Sequence, residues 1–338
     1  NRVDKQFRPI HELMREGQAR AAPITEVVGS IRQVHDYLSQ IALAPSSPQA
    51  AFTAAKARFQ GGADAISQLR QQAAGLPEPL RQWLNTLADE SWRVVLGSAR
   101  AHINTEWQSQ VHSGYRRALA GRYPLHRNAG DELAVADFAE FFKPQGVLDA
   151  FADDYLAPFV DRRRGWRARS LDGYSIGLSA EAITQLRRAD TIRQVFFREN
   201  PATPAVSFEI KPWRMDDRVS RFELNLGTQQ VGYAHGPKLW RGMAWPGGGD
   251  ASHVRIVFED LDYRSVSRSY EGPWAWFRAL DAAQVEPVGA SNVYRVSFQA
   301  TTGGVGEPYT ARFDIRAKSV DNPFGADLLG RFRCPERL

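Results

Sequence analysis

The sequence predicts an α+β architecture with the two kinds of structure in series. An N-terminal all-α helical domain is followed by an antiparallel β-sandwich with one inserted short helix. Three observations carry this. Apolar residues recur every three or four positions up to about residue 200, then alternate with polar ones. Asn200-Pro201-Ala202-Thr203-Pro204 marks the change, since proline disfavours helix at its own position and at the one before it. Turn signals such as Gly227-Thr228, Gly236-Pro237, Pro246-Gly247-Gly248-Gly249 and Gly303-Gly304 then crowd the C-terminal part. The expected domains are 1–200, divisible near 76–80, and 201–338, which ends in a short C-terminal segment.

The first helices are expected over 24–43, 48–60 and 62–74, broken by Pro45, Pro48 and Gly61-Gly62. Leu80, Trp83, Leu84, Leu87, Val94 and Val95 begin a longer pattern, which Ile103, Trp107, Val111, Tyr115 and Leu119 continue at steps of four. Gly121 and Pro124 stop it, so 79–120 reads as one long helix or two joined near Gly97. Further helices are expected over 131–142, 145–156 and 180–198.

Strands follow wherever apolar and polar residues alternate. Val206, Phe208 and Ile210 form one set, and Phe222, Leu224 and Leu226 a second. Val254, Ile256 and Phe258 form a third, with others at Tyr294, Val296 and Phe298 and from Tyr309 to Ile315. One apolar face per strand is the pattern of two antiparallel sheets packed face to face, and about eight short strands fit a sandwich. The inserted helix runs from Pro273 to about Ala283. Trp274, Phe277 and Leu280 are spaced as one inward stripe.

Composition limits the function. With 338 residues, 43% of them hydrophobic and 24% charged, the chain is neither disordered nor fibrous. No apolar run approaches the ~20 residues of a membrane helix. The first residue is Asn, so the sequence reads as a piece of a longer protein. Only six of the 43 basic residues are Lys, and the net charge of +5 is spread along the chain, so no nucleic-acid partner is expected. The single cysteine, Cys334, excludes an intramolecular disulfide and reads as a small packed hydrophobe.

The search for chemistry finds no phosphate loop, dinucleotide fingerprint, H-E-x-x-H or G-x-S-x-G. His11-Glu12 lacks the second histidine. His102 and His112 point to helix faces roughly 80° apart. Glu259-Asp260-Leu261-Asp262 reads as a solvated turn, and Arg162-Arg163-Arg164-Gly165-Trp166-Arg167-Ala168-Arg169 as a solvated interdomain loop. No catalytic residue, cofactor or metal is expected.

Several segments together resemble one family. Gln108-Ser109-Gln110-Val111 through Leu119-Ala120-Gly121-Arg122-Tyr123-Pro124 is similar to the end of its long helix. Asp137-Phe138-Ala139-Glu140-Phe141-Phe142-Lys143-Pro144-Gln145-Gly146 resembles its D-F-x-x-F-F-x-P-x-G segment. Asp154-Tyr155-Leu156-Ala157-Pro158-Phe159-Val160-Asp161 with Trp166, Gly272-Pro273-Trp274-Ala275-Trp276-Phe277, and Asn322-Pro323-Phe324 through Phe332-Arg333-Cys334-Pro335 are similar to its other motifs. The family is the C-terminal periplasmic region of the IcmF/TssM proteins of type VI secretion. The resemblance implies a non-enzymatic scaffold, the periplasmic part of an inner-membrane-anchored protein. Its β domain would bind the outer-membrane lipoprotein TssJ. Copies would assemble into a ring-like channel, and the upstream part would meet an inner-membrane partner. Two other readings stay open: a carbohydrate- or lipid-binding sandwich on a helical stalk, with Trp240 and Trp245 as a platform, and a glycoside hydrolase using Glu259 and Asp262.

For the partner site the expectation falls on one end of the sandwich. If consecutive strands run up and down, loops 246–252 and 300–308 share an end, with Trp245, His253, Val305 and Tyr309 near the rim. Loops near 216–219, 236–238 and 260–263 would form the competing end.

Overall fold

The computed structural model describes residues 8, 14, 23–248, 252–289, 292–301, 307–325 and 327–338. Val305, Gly303-Gly304 and His11-Glu12 lie outside the described residues. A helical region precedes an antiparallel sandwich that contains a short inserted helix, as the sequence predicts.

The helices are α1 (Pro23–Ala42), α2 (Ser47–Phe59), α3 (Ala65–Ala73) and α4 (Leu80–Glu106). After a π-helical turn, Trp107–His112, come α5 (Ser113–Ala118), α6 (Val135–Phe142), α7 (Val147–Phe151) and, later, α8 (Ala180–Phe196). Gly97 does not break α4. The irregularity falls ten residues later, where the π turn widens the helix without ending it.

The expected division at residue 200 marks a change of secondary structure but not of packing. One compact unit gathers the chain up to Ser109 with 152–183 and the last two residues. The other gathers Gln110–Phe151 and Thr184–Glu336, so α5, α6, α7 and most of α8 pack with the sandwich. The reason is aromatic. Phe138 on α6 lies edge-on to Phe196 on α8 at 5.1 Å and to Trp274 at 5.1 Å. Phe142 meets Phe332 at 5.1 Å. Those side chains are buried only if helices and sandwich share one core.

In the first unit, α2 and α4 clasp the segment 152–183. Trp92 on α4 is fully buried beside Phe59, which meets Phe159 edge-on at 5.0 Å. Asp64 caps α3, its Oδ1 accepting from the Ser67 N–H at 2.7 Å while the Ser67 hydroxyl accepts from the Asp64 N–H. The same carboxylate lies 3.6 Å from the guanidinium of Arg58, which also meets Asp172 at 2.5 Å and covers the Trp92 ring at 4.3 Å. Arg58 is only 5% exposed, so this cation depends on its two carboxylates. The basic run Arg162–Arg164 is the turn of a two-stranded hairpin, β1 (Val160–Asp161) with β2 (Arg167–Ala168), rather than an open loop. Trp166 is buried there, under Arg162 at 4.9 Å.

The sandwich strands are β3 (Val206–Met215), β4 (Val219–Leu226), β5 (Gln229–Tyr233), β6 (Arg241–Trp245), β7 (His253–Asp260) and β8 (Ser265–Glu271). Helix α9 (Ala275–Asp281) precedes β9 (Gln284–Pro287), β10 (Val293–Ala300) and β11 (Tyr309–Ala317). They form a five-stranded sheet, β6-β3-β11-β10-β9, and a four-stranded sheet, β5-β4-β7-β8. Between them Phe222 and Phe258 of one sheet interdigitate with Phe298 and Phe313 of the other, at centroid distances of 4.8–5.8 Å around Phe222.

Helix α9 docks as expected but on more than one face. Trp276 stacks on Phe208 at 5.1 Å on the sandwich side, while Phe277 meets Trp245 at 5.2 Å and Trp274 at 5.6 Å. A helix of seven residues has no independent stability, so these contacts hold it. Phe277→Ala is expected to cost about 3–5 kcal/mol. A loss under about 1 kcal/mol in chemical denaturation would show that the ring does not anchor the helix.

Candidate end of the sandwich

Strand directions follow from the pairing register. Strand β6 runs antiparallel to β3, and β11 runs antiparallel to both β3 and β10. Strand β9 is in turn antiparallel to β10, so β8 and β9 run the same way and α9 carries the chain back between them. Strict alternation therefore fails once. The expected pairing of loops 246–252 and 300–308 at one end is corrected: the described strand ends that flank them, Trp245 and His253 for the first, Ala300 and Tyr309 for the second, lie at opposite ends.

The end that holds the 246–252 loop is covered by the unit's own helices. Trp245 is 1% exposed, stacks on Trp274 at 4.8 Å and donates through Nε1 to the Pro273 carbonyl at 2.9 Å. It is a core residue, not a rim anchor. Trp274 donates to the Leu133 carbonyl at 2.6 Å, and Arg278 pairs with Glu132 at 2.5 Å. Gly272 sits at φ +96°, a backbone that side-chain-bearing residues rarely adopt, and a Cβ there would also press on the Glu132 carboxylate. His253 is exposed at this end, and Tyr309 lies at the other.

At that other end three connections meet around Tyr309. Its hydroxyl donates to Asp260 Oδ2 at 3.2 Å, and its ring lies under Arg218 at 5.4 Å. Arg218 forms a two-point pair with Asp216 at 2.6 and 3.0 Å and reaches the Pro308 carbonyl at 3.3 Å. The turns 216–218 and 261–264 and the start of β11 are thus tied together. Tyr309 holds these loops together, its hydroxyl on Asp260 and its ring under Arg218.

The 261–264 turn is built on Asp260. Its Oδ1 accepts from the N–H groups of Asp262 and Arg264, both at 2.9 Å. Ser220 Oγ donates to the Asp260 carbonyl at 2.8 Å. Tyr263 takes a left-handed φ of +62°, which throws its side chain outward. Leu261 is 67% exposed and Tyr263 85% exposed, with Leu239, 62% exposed, on the β5–β6 connection. Sequence reasoning places the 260–263 loop at the competing end but singles out only the acids of Glu259-Asp260-Leu261-Asp262. The available signal was Leu261 and Tyr263 themselves, two large apolar side chains alternating with polar ones inside a turn.

The backbone N–H of Arg264 holds the Asp260 carboxyl below the usual range, and the Arg218 guanidinium does the same for Asp216. A depressed carboxyl pKa contributes order above the unfolded aspartate pKa of about 3.9, and that order is lost as pH falls through the lower folded value. Amide resonances of Asp262 and Arg264 are expected to stay fixed from neutral pH to about pH 4 and to shift only below it. A midpoint above about pH 5 would contradict this geometry.

Among the described residues no group of three or more His, Cys, Asp or Glu is arranged to hold a metal. No described helix is long and apolar enough to cross a membrane. Trp240 is not an open sugar platform either, since Lys211 lies over its ring at 4.7 Å and Arg316 at 4.4 Å.

Fold and geometry define a helix-covered antiparallel sandwich with one end capped by its own helices and loop tips at the other. Residues 98–202 match the model of the type VI secretion protein IcmF helical domain, and 208–319 that of the IcmF C2-like domain. The chain belongs to the IcmF/TssM family of type VI secretion proteins, where it corresponds to the C-terminal region. It is 30% identical over 340 residues to the type VI secretion system component TssM1 of Pseudomonas aeruginosa, covering 99% of this chain. It spans 30% of that relative's length.

Three solved structures share the fold. A type VI secretion system membrane core complex aligns over 99% of this chain and 70% of its own, at TM-score 0.83 and 20% identity. A type VI membrane complex aligns over 98% and 70%, at TM-score 0.75 and 20% identity. The TssM C-terminal domain from EAEC aligns over 71% and 98%, at TM-score 0.61 and 20% identity.

Proposed function

We propose that this chain is the periplasmic scaffold part of a type VI secretion membrane complex, and that its sandwich binds the outer-membrane lipoprotein TssJ through the end carrying Leu261 and Tyr263. The chain takes no part in catalysis. Other copies, and an inner-membrane partner reached through the rest of the protein, complete the assembly. The observation that carries the site is the contrast between the two ends. One is filled by Trp245, Trp274 and the helices; the other holds two outward apolar side chains on a turn fixed by Asp260. Apolar anchors on a rigid frame lose little freedom on binding, which is what a hot spot needs.

Leu261→Asp and Tyr263→Asp are expected to weaken lipoprotein binding at least about thirtyfold each. Both residues point outward, so neither change should lower thermal stability by more than about 0.5 kcal/mol. The check is calorimetric titration with the lipoprotein's soluble domain. Unchanged affinity in both variants would move the site to a sheet edge or to the helices.

A further inference from the structure

A second surface lies on α4, away from the sandwich in sequence. At 100° per residue, Leu87, Glu90, Val94, Gly97 and Ala101 each fall within about 40° of the direction of Trp83, a stripe about 80° wide. Trp83 and Val94 are each 62% exposed, and Gly97 and Ala101 are exposed as well. Glu90 is the only charge in the stripe. A helix face turned to water ordinarily carries polar and charged residues along its length.

The stripe is also complementary to itself. Its N-terminal part offers a knob, Trp83. Its C-terminal part offers an open groove of about 450 Å³ whose lining includes Gly97, Ala101, Arg100 and Arg337. The wall is firm: Arg100 donates to the Leu338 carbonyl at 3.2 Å, and Asn104 accepts from the Leu338 N–H at 2.9 Å. An antiparallel second copy that sets Trp83 between Gly97 and Ala101 fixes the register, placing residue 83 opposite 99 and residue 91 at the two-fold centre. Val94 then falls beside Leu87 of the second copy. Glu90 already pairs with Arg93 of its own helix at 2.6 Å, and this pair comes near its counterpart at the two-fold, so the stripe brings no unpaired charge into the contact. Arg100 and Arg337 flank the incoming indole, where cations favour aromatic faces.

We infer that this face of α4 is an isologous contact between two copies of this chain, with Trp83 seated in the Gly97–Ala101 groove of the other copy. The inference rests on the reading that copies work side by side. One stripe is short of the roughly 20–30 residues a side of a standalone interface. The contact is therefore weak between free copies and strengthened where an assembly holds them close.

The test uses the 338-residue chain in sedimentation equilibrium and oxidative cross-linking. Trp83→Ala and the groove-filling Gly97→Trp are each expected to weaken self-association about thirtyfold, with the circular dichroism spectrum unchanged. Glu90→Cys copies should cross-link, because position 90 lies next to the two-fold. Ala101→Cys copies should not, since those thiols would sit about 30 Å apart. The buried Cys334 does not compete. A chain that stays monomeric at the highest concentrations and fails to cross-link at position 90 overturns the inference, as does equal cross-linking at 90 and 101. Lipoprotein binding by the Trp83→Ala variant, measured alongside, should be unchanged. Its failure in the parent chain as well would count against the lipoprotein reading while leaving the α4 result to stand or fall by itself.

Discussion

Trp274→Ala is expected to be among the most damaging single changes in the protein, at about 3–5 kcal/mol from the lost side chain alone. The indole is fully buried, stacks on Trp245 at 4.8 Å and meets Phe138 edge-on at 5.1 Å. It therefore touches the sandwich and α6 at once. Its N–H also satisfies the Leu133 carbonyl, which the change would leave unpaired, adding about 1–3 kcal/mol. The chain has two compact units, so one global unfolding curve would blur the effect. Cys334 gives a local readout. Burial pushes its thiol well above the ordinary cysteine range, so it reacts only when its surroundings open. In Trp274→Ala its labelling rate at pH 8 is expected to rise by at least a hundredfold, the factor for about 3 kcal/mol. An unchanged rate would mean that the junction does not depend on this indole.

Arg58→Ala should do comparable harm to the first unit, about 3–5 kcal/mol. The loss is less the ion pair itself than the stranding of Asp64, since Asp172 keeps Arg70 at 3.3 Å. Asp64 is also the cap of α3, so the damage should spread to that helix. Hydrogen exchange of α2 and α3 amides is the measure, with faster exchange there expected and the sandwich amides unaffected. Arg58→Met combined with Asp64→Asn should recover most of the loss, because it removes the unpaired buried carboxylate while Asp172 stays paired with Arg70. Equal exchange in Arg58→Ala and the parent chain would show that the network is dispensable.

Much of this fold could be read from periodicity. The expected helices 24–43 and 48–60 fall within a residue of α1 and α2, because proline and glycine punctuate them. The strands with one buried face, such as 206–210 and 222–226, announced themselves by alternation. Strand β8 did not. Ser265-Val266-Ser267-Arg268-Ser269-Tyr270-Glu271 is an edge strand with its residues exposed or half-exposed, so no apolar face marks it. Nor could the sequence show that α6 and α8 belong with the sandwich, since Phe138 and Phe196 pack across long separations. The same blind spot bears on the expected rim residues. Trp245 reads as a rim aromatic beside a glycine-rich loop, yet an unseen helical layer buries it. Without β8 and β9 in view, α9's return path could not be counted, and Tyr309 was assigned to the wrong end.

The central claim is that the sandwich holds its lipoprotein partner by the Leu261–Tyr263 end. Calorimetric titration of the lipoprotein's soluble domain into the parent chain and into Leu261→Asp/Tyr263→Asp tests it most directly, with His253→Asp as the control at the opposite end. The account predicts saturable binding by the parent chain and by His253→Asp, and no measurable heat for the double variant. Full affinity in the double variant, or loss confined to His253→Asp, would contradict it.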